Sequence, residues 1–392
     1  MCHKSKIWYL ILFLFSVANY SFSQNMVCKK LYPNGNIKEE FEAILVGADT
    51  VKNGNYRFYY ENGNVQQEGL MINSQPDSIW NLYYPNGNVK TIIYFKNGIK
   101  SGPYFAYYEE DTLYQSANYK DGKLQGLMLQ YYPSGKLQAR YSYQNDKLNG
   151  ISEFYSESGF IESRKNFVDN QINGLFETFY DKGAINYKGY KKGNIFNDTL
   201  KVYYETGQLE RICYYKDGLI QGPILSYYEN GKVQSIIEFI DGLPQGTFQE
   251  YYETGDIAQT GQYLNGEKIG LWKAYYPDGS LFSEGDFLNG FFNGIWNIYH
   301  ENGNIKQTGA YKYGKASGFW KYFYPNGNLK NSGIYFNDKM EGVWKSFNEN
   351  GKIHSIILYN NGNPAGIAWI FNEMGEKRSE ERRVGKECRS RW

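Results

Sequence analysis

Gly270-Leu-Trp272-Lys-Ala-Tyr275-Tyr276-Pro-Asp-Gly279-Ser-Leu281 recurs, with variations, along almost the whole chain. Stepping by 24 from Gly279 finds glycine at 63, 87, 135, 159, 183, 207, 231, 255, 303, 327, 351 and 375, with Asp111 the one gap. Gly35 lies 28 residues before Gly63, so only the first spacing is irregular. A fixed period of this size marks a repeat architecture, in which each unit packs on its neighbours.

Around each anchor certain residue types persist. An aliphatic residue follows two positions later (Val65, Val89, Leu281, Ile305, Leu329), and a Tyr or Phe precedes by four (Tyr59, Tyr83, Tyr275, Phe347). Seven positions before it stands Trp or another large aromatic, as at Tyr56, Trp80, Phe248, Trp272, Trp296, Trp320 and Trp344. A third aromatic follows by eight (Tyr263, Phe287, Tyr311, Tyr335), and further glycines by eleven and fifteen, such as Gly290 and Gly294. Short runs rich in aromatic and branched residues, bounded by turn residues, are strands. No window keeps a helical stripe, and a glycine every few residues opposes a helix by roughly 1 kcal/mol each. The fold class expected is all-β, an elongated antiparallel meander of tandem β-hairpins in a single twisted sheet.

Two registers compete for the hairpin at the anchor. Asn-Gly at 62–63, 86–87, 230–231 and 302–303 suits a two-residue type I′ loop. The same slot holds Thr206-Gly207 and Thr254-Gly255, and a β-branched residue resists positive φ. A three-residue loop, a type I turn closed by glycine in a G1 bulge, also accepts Pro85, Pro133, Pro277 and Pro325. It sets Tyr275 opposite Leu281 and is favoured on the threonine argument. The two-residue register instead sets Trp272, Trp296 and Trp320 opposite Gly285, Gly309 and Gly333, as in aromatic rescue of glycine.

In chain order, residues 1–23 read as a secretory signal: Lys4 and Lys6, then an apolar run from Ile7 to Ala18, then Ser21-Phe-Ser23 before Gln24. That run is short for a membrane span, which takes about 20 residues. The mature chain is expected to have no transmembrane span and to be exported (periplasm, cell surface or secreted) after cleavage near Ser23/Gln24. Residues 24–57 read as an irregular N-terminal capping unit, and 58–377 as tandem 24-residue repeats. Residues 378–392 break the pattern, resemble the translation of a sequencing adapter, and read as a disordered artefact.

Taking the two Lys of residues 1–23 and the six Lys/Arg and three Glu of the tail from 42 basic and 41 acidic residues leaves 34 and 38, net −4. Nothing there recruits nucleic acid. Cys28 and Cys213 lie more than seven units apart and are not expected to form a disulfide. His300 replaces a repeat Tyr, and His354 takes a strand position, so both read as surface variants. No Cys/His spacing suits zinc, no carboxylate pair stands out for acid–base work, and no catalytic residue, metal or cofactor is expected.

The unit Tyr-Tyr-x-Asn-Gly-x-Ile-x(5)-Tyr-x-x-Gly-x-x-x-Gly-x-Trp closely resembles the MORN-repeat variant found in tandem in many bacterial proteins. The resemblance covers residues 58–377 and implies a meander of hairpins with no catalytic residues to carry over. Members are often labelled antitoxins of toxin–antitoxin systems, and MORN repeats are implicated in protein or lipid contacts; the export signal departs from a cytoplasmic antitoxin role. The function expected is an exported, non-enzymatic scaffold with a protein partner. The alternative is a cell-wall or glycan-binding module, since aromatic faces stack on sugar rings as readily as on peptide. A single-layer sheet cannot bury both faces, so Trp272, Trp296, Trp320 and Trp344 are expected to form a partly exposed binding stripe.

Overall fold

Aromatic and branched runs punctuated by glycine leave the backbone strands and turns. The computed structural model describes residues 26–383, and among them there is no helix. The chain divides into two units, residues up to Lys147 and residues from Leu148. Each is an antiparallel meander of tandem hairpins, as in Glu267–Tyr275, Leu281–Leu288, Phe291–Tyr299, Ile305–Lys312 and Lys315–Phe323.

Both competing registers are present in the same hairpin. Tyr275 pairs with Leu281, as the three-residue loop requires, and the Tyr276 N–H donates to the Ser280 carbonyl at 2.8 Å. Gly279 donates to Tyr276 at 2.9 Å and sits at φ +84°, closing the type I turn with its G1 bulge. Between Tyr275 and Ala274 the register then slips by one, with Phe282 as the extra residue, so Ala274 faces Ser283 and Trp272 faces Gly285. A single bulge thus satisfies the turn and the tryptophan together.

The two-residue type I′ loops sit at the other end of the strands. Asn289 and Gly290 have φ +50° and +78°, joining Leu288 directly to Phe291. After three pairs the ladder breaks: Asp286 faces Asn293 but Gly285 faces Trp296, so Gly294 and Ile295 bulge out, Gly294 at φ +71°. The glycines eleven and fifteen positions after the anchor are therefore a turn and a bulge. Where glycine is missing, another small polar residue takes its backbone: Asp111 at φ +67° and Asp198 at φ +78°.

Neighbouring repeats are clamped at the anchor turns. The second Tyr of an anchor Tyr-Tyr pair can donate its hydroxyl to a strand-end carbonyl 23 residues on: Tyr60 to Tyr83 and Tyr84 to Tyr107 in the first unit, Tyr252 to Tyr275 and Tyr276 to Tyr299 in the second, at 2.6–2.9 Å. The Asn-Gly-Asn sequences add a second tie, since Asn302 and Asn304 both donate to the Pro325 carbonyl at 2.7 and 2.9 Å.

Residues 26–57 form three strands, Met26–Leu31, Ile37–Val46 and Asp49–Tyr59, and hold a core of Phe41, Ala43 and Tyr56 against Trp80. At the other end, residues 378–383 correct the expectation of disorder. They belong to the strand Lys377–Arg383, paired with Asn363–Phe371. A sheet edge offers unpaired N–H and C=O groups to whatever backbone follows, so pairing here needs no side-chain pattern. Residues 1–23 and the rest of that tail lie outside the described residues.

Candidate functional site

The tryptophans are where the repeat invests most apolar area, so their environment decides what the sheet can offer a ligand. In the second unit each indole lies flat across the glycine of the preceding strand. A Cβ built on Gly261, Gly285, Gly309 or Gly333 would come within 2.0–2.2 Å of the ring of Trp272, Trp296, Trp320 or Trp344. Each indole N–H then donates to the carbonyl of the residue that follows that glycine, at the edge of the double bulge: Trp296 to Asp286 at 3.0 Å, Trp320 to Ala310 at 3.2 Å and Trp344 to Ile334 at 3.1 Å. Trp80 does the same in the first unit, over Gly69 and onto Leu70 at 3.0 Å. The aromatic residue thereby fills the space a missing side chain leaves and satisfies the backbone that the bulge disrupts.

The expected exposed tryptophan stripe is therefore corrected. Trp272, Trp320 and Trp344 are only 2, 2 and 6 % exposed, and Trp296 is half-buried. Neighbouring rings cover them. Tyr263 and Phe287 stand edge-on to Trp272, Tyr311 and Tyr335 to Trp320, and Tyr335 and Tyr359 to Trp344. Lys268 closes over the Trp272 ring at 3.9 Å. A single-layer sheet has no second layer to bury this face, so its aromatics bury one another.

The exposed apolar surface lies on the opposite face, one residue before each tryptophan. Leu271, Ile295, Phe319 and Val343 are 50, 66, 55 and 48 % exposed. Their cross-strand partners extend the surface, Phe319 facing Ile334 and Val343 facing Leu358, with Ile334 and Leu358 also exposed. Strand alternation turns these residues away from the tryptophans, and the double bulge pushes them outward. Lys321 and Lys345, two residues further along the same strands, share this face and are exposed.

Beside the tryptophan face, Tyr322, Asn331, Tyr335, Met340, Trp344 and Tyr359 line a groove of 410 Å³ with the Ser346–Ser355 pair. Burial first, then the hydrogen bond with the Tyr335 hydroxyl, raises the Tyr322 phenol well above its ordinary range. No cluster of His, Cys, Asp or Glu among the described residues could hold a metal ion, and Cys28 and Cys213 are free thiols. Among the described residues no helix is long and apolar enough to cross a membrane, which says nothing of a β-barrel.

The family model described as "MORN repeat variant" matches ten segments: 52–73, 76–97, 124–145, 199–217, 220–241, 244–265, 268–289, 292–313, 318–337 and 340–361. This chain belongs to the MORN-repeat-variant family. Each matched MORN segment from 220 to 313 runs from the strand carrying the tryptophan position through the anchor turn to the first residue of the type I′ loop. No curated protein matches the chain. Among solved structures, TcdB2-TccC3-Cdc42 aligns at 12 % identity over 88 % of this chain and 23 % of that one, with a TM-score of 0.14. The Photorhabdus luminescens Tc holotoxin pore aligns at 12 % over 90 % and 23 %, with a TM-score of 0.16. The chain spans about a quarter of the length of either.

Sequence reasoning missed the Tyr276 class of clamp because it sits beside the Tyr275 class in one run. His300 carried the clue. It stands where Tyr276 stands one repeat earlier, and its Nε2 lies 3.1 Å from the Phe323 carbonyl, reproducing the inter-repeat bond.

Proposed function

We propose that this MORN-repeat chain is an exported, non-enzymatic scaffold that binds a protein partner through the apolar ridge of Leu271, Ile295, Phe319 and Val343. MORN repeats are interaction modules, and the ridge is the observation that carries the reading here. Scattered apolar side chains are ordinary on a surface, but a row repeating every 24 residues and widened by Ile334 and Leu358 is a patch. Phe319 stands near its middle, where binding energy concentrates. Lys321 and Lys345 flank the row with no carboxylate partner, so the partner's matching surface is apolar with acidic groups at its rim. Export rests on the leader-like residues 1–23, and the absence of chemistry on the turn-and-strand roles that the repeated polar residues fill.

The test compares wild-type protein with Phe319→Glu/Val343→Glu as bait for envelope proteins. A partner retained by wild type and lost by the variant, with circular dichroism unchanged, supports the ridge. Equal retention by both contradicts it.

A second reading, a glycan-binding module, is favoured by the groove at Tyr322 and Trp344. Beside Met340, Lys345 and Ile357, its lining holds four aromatic rings, the Ser346 and Ser355 hydroxyls and the Asn331 amide, groups that pair with sugar faces and sugar hydroxyls.

A further inference from the structure

The tryptophan face also carries lysines, and two of them share one aromatic patch without an acid. Lys165, in Ile161–Val168, lies opposite Phe176, and Lys191, in Ile185–Lys192, lies opposite Gly174. The Lys165 ammonium is 4.8 Å from the Phe154 ring centre, and the Lys191 ammonium is 4.4 and 4.5 Å from those of Phe176 and Phe196. Both side chains are half-buried.

The neighbouring carboxylates are committed elsewhere. Glu153 and Glu177 are held by Arg164 and Lys188, whose strand positions face the other way. Asp198 turns its Oδ1 to the N–H and hydroxyl of Thr199, and Arg211 pairs with Glu210. The Thr178 hydroxyl, on the same face two residues past Phe176, is buried without a partner. Burial, reinforced by Lys191, lowers the Lys165 pKa below the usual lysine value. Two half-buried cations over one ring cluster, with no carboxylate paired to either among the described residues, form an arrangement that an anion would relieve.

We propose that Lys165 and Lys191 form a site for the carboxylate of an acidic saccharide, whose ring lies along the Phe154–Phe176–Phe196 patch. This rests on the glycan reading and extends it to a charged sugar. The electron-rich faces of aromatic rings take the C–H face of a pyranose. Two cations suit one carboxylate, whereas a nucleic-acid backbone asks for a longer basic track.

The experiment titrates the whole chain with trigalacturonate, its methyl ester and a short oligothymidylate by calorimetry. Trigalacturonate is expected to bind, the ester and the oligothymidylate much more weakly. Lys165→Met/Lys191→Met keeps the apolar stems and is expected to weaken trigalacturonate by about tenfold per lysine, with the melting temperature unchanged or raised. Equal binding of acid and ester by both proteins would leave the glycan reading standing and overturn this site. No binding of either would overturn both. Stronger binding of oligothymidylate would overturn the saccharide assignment, and a lowered melting temperature with unchanged affinity would make the lysines structural.

Discussion

The Tyr276 hydroxyl donates to the Tyr299 carbonyl at 2.9 Å, across 23 residues and one full repeat. The acceptor is the last residue of Phe291–Tyr299, where the ladder gives way to the turn, so the phenol supplies a hydrogen bond that the sheet cannot. Tyr276→Phe keeps the ring and removes that bond. It should cost about 1 kcal/mol, and Tyr228→Phe, two clamps away, should add to it independently. Urea unfolding of the single and double variants checks both the size and the additivity.

Glycine at the anchor and glycine under a tryptophan are required for different reasons. Gly303 needs its φ of +81° but has nothing within 4 Å of a would-be Cβ. Gly303→Ala should therefore cost only backbone strain, about 1 kcal/mol. At Gly309 the new methyl would lie 2.0 Å from the Trp320 ring, so Gly309→Ala must expel the indole and should cost roughly 3 kcal/mol or more. Thermal unfolding of the two variants should rank them in that order, and equal losses would contradict the indole–glycine packing.

Tyr313 occupies the first position of a type I′ loop at φ +49°, where the other repeats place Asn, Asp or, at Gly193, glycine, and it is 65 % exposed. A bulky residue there is strained and buries nothing in return. Tyr313→Asn should raise stability by about 1 kcal/mol, read as a higher melting temperature.

The 24-residue period made the strands and turns legible, and the threonines at 206 and 254 identified the three-residue loop. What the sequence hid was parity. A strand pattern assigns faces only while the ladder is unbroken, and each repeat breaks it twice, at Phe282 and at Gly294–Ile295. Trp296 and Ile295 are both apolar and adjacent, so composition gives no reason to send one inward and the other out. The assumption that large aromatics on a single-layer sheet stay exposed failed because Gly285 and Gly309 make room for the rings to lie flat. The clamp of Tyr276 was hidden twice over: it sits beside Tyr275 in one run, and its partner is a backbone carbonyl, which has no sequence signature.

In the first unit, burial alone would raise the Glu39 carboxyl, but hydrogen bonds from Lys30, Lys52 and Tyr56 outweigh it and hold the pKa at about 2. A carboxyl depressed from 4.5 to about 2 contributes stability that is fully present above pH 4.5 and lost as pH falls towards 2. Glu39→Gln should therefore destabilise the protein at pH 7 and differ little from wild type near pH 2. Urea midpoints of both proteins at the two pH values test the sign, and a gap that widens in acid would contradict it.

The tryptophan face packs neighbouring repeats together, and the opposite ridge stands exposed. Trp320 and Phe319 are adjacent aromatics, 2 and 55 % exposed. Hydrogen–deuterium exchange of the strands Ile305–Lys312 to Leu329–Phe336 in Trp320→Ala and Phe319→Ala tests this division most directly. Trp320→Ala is expected to speed exchange across these strands, corresponding to a local loss of roughly 3–5 kcal/mol, with Phe319→Ala within about 0.5 kcal/mol of wild type. Equal acceleration in both, or greater acceleration in Phe319→Ala, would contradict the assignment of the two faces.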